Sequence, residues 1–238
     1  MKEMEIMSKH VVSNFFTDNN DIVVSPMLMN SLISEFSQYE IYPNVSSEMN
    51  IATGERKSFI RLCSPDEKIQ INMQSLYTNI IVNIDGCKFF NSESEAVLLI
   101  LSKLGSIFPN KLASRLSYLT CHVYSGGVDN YNSVYKKIFN KKLKDDIYPI
   151  EWEVREVFRE TVDGELDKIN VVSMMKRGAF TTPFMTQPPS NGSVLLETDT
   201  NTVFENQINR FSYIKAKELL PVFFEKSEQS VAAMIELL

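Results

Sequence analysis

Apolar positions recur at two spacings along this chain. Between Glu151 and Phe184, Val154, Val157 and Phe158 sit among charged residues, with Leu166 beyond. That is helical spacing and predicts a helix. Asp163-Gly164 stops the pattern, because Gly readily takes the conformation that ends a helix. Ile169 to Met175 is apolar, partly β-branched and short, which predicts a buried central strand. The stretch leaves through Gly178 and closes on Pro183-Phe184.

The same reading extends along the chain. Met4, Met7, Val11 and Phe15 predict a first helix, ended by Thr17 to Asp21, and Ile22-Val23-Val24 a short strand. Ser25-Pro26 opens a helix whose buried face is Leu28, Leu32, Ile33 and Phe36: Ser caps, and Pro has no N–H to leave unpaired. Ile69 to Val82 reads as strand. Ser92 to Glu95 fits a capping box before the apolar run Ala96 to Leu101. Leu119, Cys121 and Val123 alternate with Thr120, His122 and Tyr124, a strand that turns at Ser125-Gly126-Gly127. Tyr131, Val134, Tyr135 and Ile138 predict a helix, and Leu143 to Ile150 a strand.

Several of these segments resemble the serpins, the serine protease inhibitor superfamily. Arg177-Gly178-Ala179-Phe180-Thr181-Thr182-Pro183-Phe184 matches that family's K-G-x-W-x-x-P-F, with Phe for Trp. Gly164-Glu165-Leu166 stands where the family has G-K-I after a helix, and Asp21 to Pro26 resembles N-I-x-x-S-P. Leu28 stands where the family has a second Ser, and the family's G-A-x-G-x-T segment is absent. Phe211 to Ile214, Val222 to Glu225 and Ser230 to Leu238 resemble strands of its second sheet and the one that follows. Residues 40–115 diverge from the family.

The resemblance implies one α/β (α+β) domain over 1–238, serpin-like, with a largely antiparallel central sheet and helices packed on it. It also implies a C-terminally truncated serpin, without the later strands and the reactive-centre loop. Ser25, Pro26, Gly164, Gly178, Phe180, Pro183 and Phe184 are then framework positions. Phe211, Tyr213, Phe223 and Phe224 become a candidate partner surface, because the strands that cover such a face in the family are missing.

Charge and cysteine usage narrow the partners. A formal net charge of -6 argues against nucleic acid. Lys136-Lys137 and Lys141-Lys142 read as one solvated helix face. No run reaches the ~18 apolar residues of a membrane span, and the N-terminus has no signal-peptide core. Cys63, Cys87 and Cys121 form no CxxC pair, so they read as reduced thiols and not as a zinc site.

No catalytic residue, metal ligand or cofactor emerges. Cys121 and His122 are neighbours on a strand and point to opposite faces, so they form no dyad. No G-x-S-x-G elbow and no phosphate loop is present. Acidic pairs such as Asp145-Asp146 and Glu225/Glu228 read as solvated.

The expectation is a non-enzymatic, non-inhibitory protein that binds a host protein or itself. It is similar to intracellular serpin relatives of large DNA viruses such as poxviruses, which implies host-virus interaction in the host cytoplasm and a partner in protease or cell-death pathways. Protease inhibition through another surface or with a separately encoded C-terminal piece is the first alternative. An unrelated structural or decayed product is the second.

Overall fold

The computed structural model describes residues 4–49, 51–140, 143, 147–162, 164, 167–185, 187, 189 and 191–238. In chain order its elements are β1 (Glu5–Phe16), α1 (Pro26–Phe36), a 3-10 turn (Ser37–Tyr39), β2 (Tyr42–Met49), β3 (Arg56–Cys63), β4 (Ile69–Gln74) and β5 (Tyr77–Val82). There follow α2 (Glu93–Ile107), β6 (Leu112–Ala113), β7 (Arg115–Ser125), α3 (Val128–Phe139), β8 (Trp152–Val162), β9 (Asp167–Gly178), β10 (Ser193–Thr202), β11 (Phe211–Ser212) and α4 (Tyr213–Ile235). The fold is mixed α/β, dominated by a large antiparallel sheet of nine strands in the order β2-β3-β4-β5-β1-β7-β10-β9-β8. The chain divides into two compact units: Met1–His10, Leu119–Thr200 and Phe224–Leu238 form the first, Val11–Tyr118 and Asn201–Phe223 the second.

In the second unit, period-two alternation sorts the strands into two faces. Val11, Ser13 and Phe15 of β1 stand opposite Val82, Ile80 and Thr78 of β5, and all six are buried. The intervening Val12, Asn14, Phe16, Tyr77, Asn79 and Ile81 are only half-buried. Helix α1 starts as expected: Pro26 is in the first turn and the Ser25 hydroxyl accepts from Leu28 N at 3.3 Å. Helix α2 is capped by Ser92, which accepts from Glu95 N at 3.1 Å. Its Ala96, Val97, Ile100, Leu101 and Leu104 are buried.

The first unit is built around Tyr131, Val134 and Tyr135 of α3, Trp152 of β8, Met175 of β9, Val194 and Leu196 of β10, and Val231 and Met234 of α4. Ser173 of β9 meets Ser230 of α4, and Lys226 of α4 pairs with Glu160 of β8 at 2.6 Å. One face of the β8–β9 hairpin therefore faces α4.

Several expectations are corrected. The predicted helix through Val154, Val157 and Phe158 is instead strand β8 (Trp152–Val162), paired with β9 from Trp152↔Arg177 to Val162↔Asp167. The break at Gly164 stands, but it turns a hairpin: Gly164 has φ +84°. Glu165-Leu166, Lys141-Lys142 and Asp145-Asp146 lie outside the described residues. Ile169 to Met175 is a strand as expected, second from the sheet's edge and not central.

The predicted first helix is strand β1, where Val11, Ser13 and Phe15 obey period two. Ile22-Val23-Val24 forms no strand, and Val23 is 73% exposed. Leu143 and residues 147–150 form none either. The predicted strands between Ile214 and Leu238 are replaced by α4 and its end. Tyr213, Ala216, Leu220, Phe223, Ser227, Val231 and Met234 are spaced by three and four residues, and all are buried.

Candidate functional site

The framework residues form ordinary structural features. Ser25 and Pro26 start α1. Gly178 ends β9 with the Phe180 ring against it; a Cβ there would stand 3.1 Å from Phe180 Cζ. The Ser8 and Thr182 hydroxyls share a hydrogen bond of 3.1 Å, and the His10 and Phe184 rings are 5.1 Å apart. The exit loop through Pro183 thus folds back over β1. Arg177 is buried, its guanidinium 4.7 Å from the Tyr131 ring and donating to the Pro149 carbonyl at 2.9 Å. Burial pulls its pKa below the ordinary arginine value.

The expected partner surface is not a surface. Phe211, Tyr213 and Phe223 are fully buried and Phe224 is 8% exposed. Helical periodicity turns Tyr213, Phe223 and Phe224 inward, while Phe211 is held in the β11–β6 pair opposite Ala113. Tyr213 stacks on Phe15 at 4.0 Å and shares a 2.8 Å hydrogen bond with Thr78.

Among the described residues, the Cys121 thiol is held in its neutral form. Burial, with Glu197 beside it, pushes the Cys121 thiol up to about 12. Cys121 should therefore resist iodoacetamide in the native protein at pH 8, whereas the half-buried Cys63 and Cys87 react. Mass spectrometry of the alkylated protein checks this; native labelling of Cys121 ahead of the other two would contradict it. Glu197 is itself pushed above the usual carboxylate range, by burial and then by Asp199 and Glu153. Among the described residues no group of three His, Cys, Asp or Glu side chains is placed to hold a metal ion. No described helix is long and apolar enough to cross a membrane.

Cavities are shallow. One of about 300 Å³ is lined by Tyr39, Lys68, Ile69, Cys87, Lys88 and Phe89. Both its cations are engaged: Lys68 donates to the Asp85 carbonyl and Lys88 pairs with Glu40.

The sheet's two end strands differ more sharply than its cavities do. Strand β8 carries Glu153, Arg155, Glu156, Arg159 and Glu160 around the exposed Val157 and Phe158. Strand β2 carries a single charge, Glu48, and exposes Tyr42 at 46%, Val45 at 54% and Met49 at 55%. Its inner side is fully paired with β3, from Tyr42↔Cys63 to Met49↔Arg56. Among the described residues no strand pairs with its outer side. Only strand order, which the chain's hydrophobic pattern does not give, reveals which strands are edges. No known protein-family model matches this chain, and no curated protein matches it.

Proposed function

We propose that this chain is a non-catalytic binding protein that takes up an extended segment of a protein partner along the outer side of β2. The observation that carries the reading is the contrast between the sheet's ends. An open edge offers unpaired N–H and C=O groups, and proteins defend edges with charge. Strand β8 is defended in that way; β2 has one charge, Glu48, and besides it only Pro43, which lacks an N–H, near its start. Strand addition uses the free backbone groups for affinity and alternate side chains for selection. Here Val45 and Met49 line one face of β2 and Tyr42 the other. Each added inter-strand hydrogen bond contributes about 0.5–1.5 kcal/mol, against the ordering cost of the incoming segment.

The serpin resemblance supplies the partner class within this proposal: a host-cell protein of protease or cell-death pathways. It rests on Ser25-Pro26 and on Arg177 to Phe184. Strand β8 stands where that family has a helix, and α4 where it has strands. Inhibition by loop insertion therefore draws no support from those elements.

A displayed library of extended peptides tests the reading. Selected peptides should protect the outward-facing amides among residues 44–49 from hydrogen exchange. Val45→Lys, at an exposed position, should weaken them about tenfold or more with the melting temperature unchanged. Failure to select any binder, or selected peptides that protect other strands and ignore Val45→Lys, would refute it.

A further inference from the structure

In the second unit, the sheet face opposite the buried one carries a chain of side-chain amides. Asn72 Nδ2 donates to Asn79 Oδ1 at 3.4 Å, Asn79 Nδ2 to Asn14 Oδ1 at 2.8 Å, and Asn14 Nδ2 to Ser117 Oγ at 3.0 Å. The register builds this row: Asn72 and Asn14 both stand opposite Asn79, from β4 and β1 on either side of β5. These are interior strands, and the three amides are half-buried.

Asn is depleted in strands, where β-branched residues fit better. Three in register across interior strands depart from local preference at one place, which is how functional surfaces show themselves in otherwise consistent sequences. An ordinary solvated face would need no such alignment. Asn14 and Asn79 each give one N–H and accept one hydrogen bond within the row. Each amide therefore retains one N–H and one lone pair side by side.

A second row flanks the first. Phe16, two residues beyond Asn14, and Tyr77, two before Asn79, have ring centroids 6.2 Å apart. The Arg115 guanidinium lies 4.8 Å from the Phe16 ring, and its buried Nε has no hydrogen-bond partner. No carboxylate pairs with Arg115 among the described residues.

We propose that this face binds a neutral oligosaccharide. A sugar hydroxyl is donor and acceptor on one atom, and each unspent amide N–H with its lone pair answers both. The apolar C–H side of a sugar ring packs on the Tyr77 ring, and Arg115, lying over the Phe16 and Phe204 rings at 4.8 and 5.1 Å, supplies further donors at the end of the row. Other ligand classes fit less well. A polyanion meets one unpaired guanidinium in a protein of net charge -6. An apolar side chain would leave the amides buried and unsatisfied. The face is separate from the β2 edge, so the two sites stand or fall independently.

The test is titration of the whole protein with neutral hexasaccharides of glucose, N-acetylglucosamine and xylose, followed by NMR of the Asn side-chain NH₂ signals. A hexasaccharide of uronic acid, a dinucleotide and an extended peptide serve as comparisons. At least one neutral sugar should shift the Asn14 and Asn79 signals saturably with Kd at or below about 1 mM. Asn79→Thr, which suits a strand, should weaken that binding about tenfold, while Val45→Lys leaves it unchanged. No shift with any neutral sugar, or shifts only with the acidic sugar, the dinucleotide or the peptide, overturns the proposal. The unmodified protein gives this answer even if Asn79→Thr fails to fold.

Discussion

Phe15→Ala should lower the unfolding free energy by about 3–5 kcal/mol. Phe15 is 2% exposed and faces Thr78 across the β1–β5 pair, with Tyr213 of α4 stacked on it at an interplanar angle of 18°. Removing the ring leaves a cavity between a sheet and a helix already fixed by other contacts, and such a site collapses poorly. Tyr213→Phe keeps the stack and loses one hydrogen bond. Thr78 then retains its contact with Asn19 Nδ2 at 3.2 Å, so that variant should cost about 1 kcal/mol. Phe15→Ala and Tyr213→Ala together should cost less than the sum of the single changes, by about 0.5–1.5 kcal/mol, because each single variant already breaks the stack. Denaturant unfolding measures all of these. Were Tyr213 part of an exposed partner surface, its truncation would change stability by only about 0.5 kcal/mol or less. A result of that size would also remove the helical placement of residues 213–235.

That helix is written in the apolar spacing, but the serpin resemblance reads strands at 211–214, 222–225 and 230–238 in its place. Tyr213, Ala216, Leu220, Phe223, Ser227, Val231 and Met234 keep a spacing of three and four. No run of alternating positions competes with it, and Pro221 is the one residue that argues against a helix interior. The caps of α1 and α2 were legible for the same local reason, since a Ser followed by its partner N–H lies within one turn.

Strand β8 was not legible from local pattern. Val154, Val157 and Phe158 satisfy the helical rule by coincidence, and what holds them extended is β9, which begins beyond Gly164. β1 misleads in the same way. Met4, Met7, Val11 and Phe15 fit a helix, and only pairing of Val11 with Val82, far along the chain, selects the strand. The asparagine row is further from reach. Asn14, Asn72 and Asn79 mean nothing together until register is known. Edge identity, on which the β2 reading rests, needs the whole strand order.

The charge pattern of β8 yields the sharpest expectation: Arg159→Glu should turn this edge into a dimer interface. Two copies related by a twofold can pair antiparallel edges only if the axis is perpendicular to the sheet, so each register is centred on one residue of β8. Centred on Val157, Arg155 stands opposite Arg159 of the second copy; centred on Phe158, Glu156 stands opposite Glu160. Centred on Arg155, Glu156, Arg159 or Glu160, that residue meets its own copy. Every register about the exposed middle of the strand therefore sets like charges side by side, which is destabilising in a sheet. Arg159→Glu changes the Val157-centred register alone into two Arg–Glu pairs flanking a Val157–Val157 contact. It is preferred to Arg155→Glu because Arg155 stands near Glu197 and Glu153, where another carboxylate would strain the fold itself. Arg159 gives up its 3.0 Å bond to Asn170, an exposed contact. Sedimentation at increasing concentration should show the variant dimerising at least about tenfold more tightly than the unmodified chain. Arg155→Glu combined with Arg159→Glu restores like charge and should return the protein to the unmodified behaviour. A dimer from the double variant, or none from Arg159→Glu, would mean that charge is not what keeps this edge unpaired.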